Sequence, residues 1–130
     1  MSVLYEDCFV RLTKNELEIK CFYFPTGTSR SVDLKDIIQV HYAEQGCGLD
    51  SKGWGMALSK VWWACDLTRS FPFRNSTRWN VTVRLDGEGL DKGFSVEDRQ
   101  AFFEALKACL PENTPILDHL PYTFSRNKPK

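Results

Sequence analysis

Apolar and polar positions alternate along most of the chain with a period of two, the spacing that places successive side chains on opposite faces of a β-strand. Cys8, Val10 and Leu12 share one face against Arg11 and Thr13. After a tight turn at Lys14-Asn15, Leu17, Ile19, Cys21 and Tyr23 alternate with Glu18, Lys20 and Phe22, which completes a predicted hairpin. Pro25-Thr26-Gly27-Thr28 supplies turn chemistry, because proline fixes φ and glycine permits a positive φ, before a short strand around residues 30–34. Ile38, Val40 and Tyr42 against Gln39 and His41 make a fourth. Gly46, Gly48, Gly53 and Gly55 mark a loop leading into the apolar stretch at residues 57–67. The clearest strand sets Trp79, Val81, Val83 and Leu85 against Asn80, Thr82, Arg84 and Asp86. It ends in the turn Asp86-Gly87-Glu88-Gly89, and Lys92-Gly93-Phe94 opens one more strand.

The period then changes. Ser95-Val96-Glu97-Asp98 has the residues of a capping box, in which a serine oxygen accepts from an orphan amide and an acid three residues on answers it. Phe102, Phe103, Leu106, Cys109 and Leu110 follow at spacings of three and four until Pro111, which predicts an amphipathic helix of about fifteen residues. This divides the chain into a domain over residues 1–110 and a proline-containing tail over 111–130, packed on that domain or trailing from it. The tail has an apolar middle (Ile116, Leu117, Leu120, Tyr122, Phe124) and a basic end, Arg126-Asn127-Lys128-Pro129-Lys130.

Over the last third, Val81-Thr82-Val83-Arg84-Leu85-Asp86-Gly87, then Gly93-Phe94-Ser95, then Val96-Glu97-Asp98-Arg99-Gln100-Ala101-Phe102-Phe103-Glu104-Ala105-Leu106 resemble the final hairpin and helix of the pleckstrin-homology-like superfold. Val32-Asp33-Leu34-Lys35-Asp36-Ile37-Ile38-Gln39-Val40 looks like its middle strands. The resemblance implies a mainly β, α+β fold: a bent, partly open barrel of about seven antiparallel strands capped by one C-terminal helix. Lipid-binding members carry several basic residues around the first hairpin loop. That turn here offers Lys14, followed by Glu16 and Glu18, so inositol phosphate binding is not expected at that position.

A chain of 130 residues is the size of one domain with one core. Its 42% hydrophobic, 26% charged and 13% aromatic residues are globular proportions that exclude a disordered chain. Each apolar run falls well short of the ~20 residues a spanning helix needs. Lys plus Arg and Asp plus Glu are both 17, so no whole-molecule field draws the protein to nucleic acid or to an anionic membrane, and any anion site is local. The N-terminus lacks a basic region followed by an apolar one, which points to the cytoplasm, where the sequons at Asn75 and Asn80 carry no sugar. Five cysteines, an odd number without a CxxC pair, fit reduced thiols. Cys8, Cys21, Cys65 and Cys109 lie in strand or helix patterns and are expected in the core, whereas Cys47 sits in the glycine-rich loop.

Little here supports catalysis. His41 and His119 cannot alone supply a three-ligand metal site, His41 is expected on a sheet surface, and no cofactor motif is present. Gly48-Leu49-Asp50-Ser51-Lys52-Gly53 approaches a phosphate-binding loop, but Trp54 stands where lysine is required. Two surfaces stand out instead. Trp62 and Trp63 are neighbours in a predicted strand and therefore face opposite sides. Either the helix, the tail or the loop covers the outer one, or it anchors a partner. The segment from Leu67 to Trp79 carries Arg69, Phe71, Phe73, Arg74 and Arg78, and no acid lies between Asp66 and Asp86. Arginine forks there suit an acidic or phosphorylated segment of a protein or peptide. The function expected is a non-catalytic, adaptor-like protein-binding module using Trp62 or Trp63 with these arginines and phenylalanines, with room for self-association as a homodimer. The alternatives are peripheral membrane binding through anionic or phosphoinositide headgroups, and a small-molecule carrier or enzyme with a barrel site near Cys21, Tyr23 and His41. Nucleic acid is not an expected partner.

Overall fold

The computed structural model describes residues 2–23, 26–44, 54–56, 61–66 and 78–118. The strands β1 (Val3–Glu6), β2 (Val10–Thr13), β3 (Glu16–Ile19) and β4 (Arg30–Asp33) form an antiparallel sheet in chain order. The predicted hairpin is β2–β3, with Val10 opposite Ile19 and Leu12 opposite Leu17. All four are buried, since a two-residue period keeps both strands' apolar residues on one face. Asp7 fastens the turn before it. Its carboxylate accepts from the amides of Phe9 (2.7 Å), Val10 (3.0 Å) and Glu97 (2.9 Å) and from the Tyr5 hydroxyl.

The second sheet contains β5 (Ile37–Glu44), β6 (Gly55–Met56), β7 (Val61–Trp63), β8 (Trp79–Leu85), β9 (Asp91–Val96) and β10 (Ile116–Leu117), in the order β10-β5-β8-β9-β7-β6. Two of its pairings are parallel, β7 with β9 and β10 with β5. The helix α1 spans Arg99–Lys107. Val10, Leu12, Leu17, Ile19 and Val32 of the first sheet pack in one cluster with Val40, Val81, Val83, Phe94 and Val96 of the second and Phe102, Phe103 and Leu106 of the helix.

Several expectations are corrected. No closed barrel of seven antiparallel strands forms: among the described residues there are two separate sheets, one of them mixed. Closure requires the outer strands to pair with one another. Here β1 and β4 bound one sheet and β10 and β6 the other. The helix has 9 residues rather than about fifteen, and its N-cap is Asp98, whose side chain accepts from the Ala101 amide at 3.0 Å. Ser95 belongs instead to β9, fully buried, with its hydroxyl donating to Asp66 at 2.6 Å. Two residues of the polar side of β8 are also buried, Asn80 at 3% exposure and Thr82 at 0%, while the Arg84 side chain is 41% exposed. His41, expected on a surface, lies opposite Thr82 and is buried. None of the four described cysteines is fully buried: Cys8 is exposed, Cys21 and Cys65 are half-buried, and Cys109 is half-buried against the core. Among the described residues no helix is long and apolar enough to cross a membrane.

Candidate binding site at Trp62

Alternation in the first sheet stops at Cys21, whose φ of 51° lies in the left-handed region. That reversal shifts the phase of the strand pattern by one residue. Phe22, expected outside, is buried, and Tyr23, expected to continue the core face, is exposed. The chain then turns back through Gly27, at φ 81°, whose amide donates to the Tyr23 carbonyl at 2.7 Å. Phe22 and Tyr23 both donate to the carbonyl of Thr28, each at 3.0 Å. The two rings are thereby held edge to face, with centroids 5.0 Å apart.

Against this corner stands Trp62. As two neighbours on a strand must, Trp62 and Trp63 face opposite ways. Trp63 is fully buried and lies over Gly93, where an added Cβ would approach the indole to 2.5 Å. Trp62 is half-buried, its indole N–H donating to the Phe22 carbonyl at 2.8 Å and its ring centroid 6.3 Å from that of Phe22. The same carbonyl accepts from the indole of Trp54 at 3.2 Å. Trp54, conspicuous in the sequence as the wrong residue for a phosphate loop, thus braces the site.

Phe22, Tyr23, Arg30, Trp62, Leu90 and Lys92 line a pocket of about 200 Å³. Its wall is apolar and its rim is charged. The Glu88 carboxylate bridges the rim, 2.8 Å from Arg30 and 2.6 Å from Lys92. The hydrogen bond from Lys92, then that from Arg30, holds the Glu88 carboxyl below the usual carboxylate range. Lys92 also donates to the Leu90 carbonyl at 2.7 Å, and Arg30 contacts the Tyr23 hydroxyl at 3.4 Å. Two cations face one internal carboxylate, leaving the rim with an excess of one positive charge.

The other expected site residues fall differently. Arg69, Phe71, Phe73 and Arg74 lie outside the described residues, as do Cys47 and His119. Arg78 is described, and its guanidinium is committed internally: it pairs at 3.0 Å with Asp66, a carboxylate 2% exposed, and lies over the Phe9 ring at 5.1 Å. Arg78 does not border the Trp62 pocket, and of the three groups named for a barrel cavity, Tyr23 alone lines it. Sequence reasoning missed Phe22, Arg30, Glu88, Leu90 and Lys92. The i,i+4 spacing of Glu88 and Lys92 was the one local signal, and Arg30 joins them only through the fold.

A larger groove of about 560 Å³ runs past Lys14, Asn15, Asp33, Leu34, Lys35, Cys109, Leu110 and Pro111. It mixes both charge signs and borders the carboxyl end of the helix, the negative end of the helix dipole, so it selects no ligand class. Among the described residues no group of three metal-ligating side chains converges. No protein-family model, curated protein or solved structure matches the chain. The chemistry of the pocket is therefore the guide to its use.

Proposed function

We propose that this protein is a non-catalytic binding module that captures a partner protein, with the Trp62 pocket as the anchoring point. The observation that carries this is a half-buried tryptophan whose N–H is already satisfied by the Phe22 carbonyl, so that its ring can be covered without stranding a polar group. Tyr23, 39% exposed, and Leu90 extend the apolar surface beside it. Buried aromatic anchors ringed by polar groups dominate protein interfaces because covering them removes apolar area from water at little entropic cost.

The test is a pull-down with the full chain, comparing wild type with the double variant Tyr23→Ser, Leu90→Ser by quantitative mass spectrometry. A thermal melt verifies that the variant remains folded. At least one bound protein is expected to fall by about tenfold or more, the effect of losing an interface hot spot. An unchanged set of bound proteins from a folded variant overturns the proposal.

A further inference from the structure

The carboxylate already present at the pocket specifies the chemistry of the guest. Glu88 sits in the β8–β9 turn and reaches Arg30 at the start of β4 and Lys92 in β9, two cations that come from different sheets. Its side chain is 38% exposed and does not itself line the pocket, but it pairs with two cations that do. Lys92 is the opposite case, a side chain only 6% exposed that lies along the pocket beside Trp62. A buried ammonium needs an anion close by. Glu88 supplies it in the free protein, but from a turn with Gly87 on one side and Gly89 on the other, where side-chain and backbone freedom make withdrawal cheap.

We propose that Glu88 is an internal stand-in for the partner's anion: the Trp62 pocket takes an acidic segment of a protein, in which a side-chain carboxylate displaces Glu88 from Arg30 and Lys92 while an adjacent apolar side chain fills the space between Trp62, Phe22 and Leu90. This rests on the pocket being the anchoring site and adds what it selects. The commitment to a carboxylate follows from the spacing, because one carboxylate already meets both cations at 2.6 and 2.8 Å. The same competition makes the free protein discriminating. A neutral apolar segment leaves Glu88 in place and gains only the apolar contact, whereas an acidic one gains both.

The experiment uses the full chain and two matched sets of short peptides, acetylated and amidated at their ends. Each has a central glutamate flanked by leucine, phenylalanine or tryptophan, and its counterpart carries glutamine. Binding at millimolar concentration is followed by the NMR signal of the Trp62 indole N–H, for wild type and for Glu88→Gln. The glutamate peptides are expected to shift this signal and to bind Glu88→Gln about two- to fivefold more tightly than wild type, the range exposed ion pairs command. The glutamine peptides should bind more weakly, with no gain in the variant. Equal binding of both sets with no effect of Glu88→Gln overturns the anion inference and leaves the pocket as an anchoring site. Failure of every peptide to perturb Trp62 in either protein removes both. A response to phosphoserine peptides or anionic vesicles in place of the glutamate peptides also overturns the carboxylate assignment.

Discussion

Cys8 shows how far a residue's neighbours can override its exposure. The residue is exposed, yet its sulfur is partly shielded and its thiol donates to Glu97 at 3.2 Å, and that desolvation, then the hydrogen bond, pushes its pKa up to about 11 from 9.0. A thiol that holds its proton more tightly in the native state stabilises it fully below the unfolded value of 9.0, and that contribution is lost as pH rises through about 11. The thiolate is the nucleophile, so alkylation at pH 8 is expected to run about tenfold slower at Cys8 than at a free cysteine. The thiolate population falls about a hundredfold, and greater basicity recovers part of the rate. Peptide mapping after a timed iodoacetamide pulse measures this, and Glu97→Gln should accelerate it. Arg78 is a second case. The sequence offers it as a free fork for an anion, but it answers the buried charge of Asp66.

At the scale of elements, the strand pattern was legible wherever alternation was local. The hairpin of β2 and β3 and the short strand β4 follow the period-two rule directly, and β8 is the strand expected, although Asn80 and Thr82 on its polar side are buried as well. It failed at two irregularities that alternation cannot encode: the left-handed Cys21, and a register shift between Ile37 and Gln39 that leaves Ile38 47% exposed. The helix start was misplaced because Ser95 with Asp98 three residues on has the residues of a capping box, and only the sheet shows that Ser95 is already in β9, which leaves Asp98 as the cap. Asp98→Ala should therefore cost about 1 kcal/mol, the ordinary value of an N-cap. Gly93→Ala should cost about 1–3 kcal/mol by overpacking, because its methyl would meet the buried Trp63 ring at 2.5 Å. Urea denaturation of both variants measures these losses; a Gly93→Ala protein as stable as wild type would refute the close approach.

At the scale of the molecule, the main apolar cluster joins both sheets and the helix, and a second, small one sets Val61 and Trp63 of β7 against Ala43 of β5. Unfolding is accordingly expected to be a single cooperative event. The far-UV circular dichroism and tryptophan fluorescence transitions in urea should coincide, and separated midpoints would show that the sheets unfold independently. The Trp62 pocket also belongs to this scale, since it is made from residues 22, 23 and 30 near one sheet and 62, 90 and 92 in or beside the other. No local segment contains it.

The sequence by itself determined a mainly β chain with a single amphipathic helix near its end, because the two-residue and three-to-four-residue periods are properties of neighbouring positions. It also determined that Trp62 and Trp63 face apart, since adjacent strand residues have no other choice. Tertiary structure alone decided which of the two is accessible, that the strands divide into two sheets without closing a barrel, and that Arg30 and Lys92 meet across Glu88. Those outcomes depend on pairings between strands far apart in the chain, such as β7 beside β9, and the energy of a distant pairing leaves no periodic mark on the residues that make it.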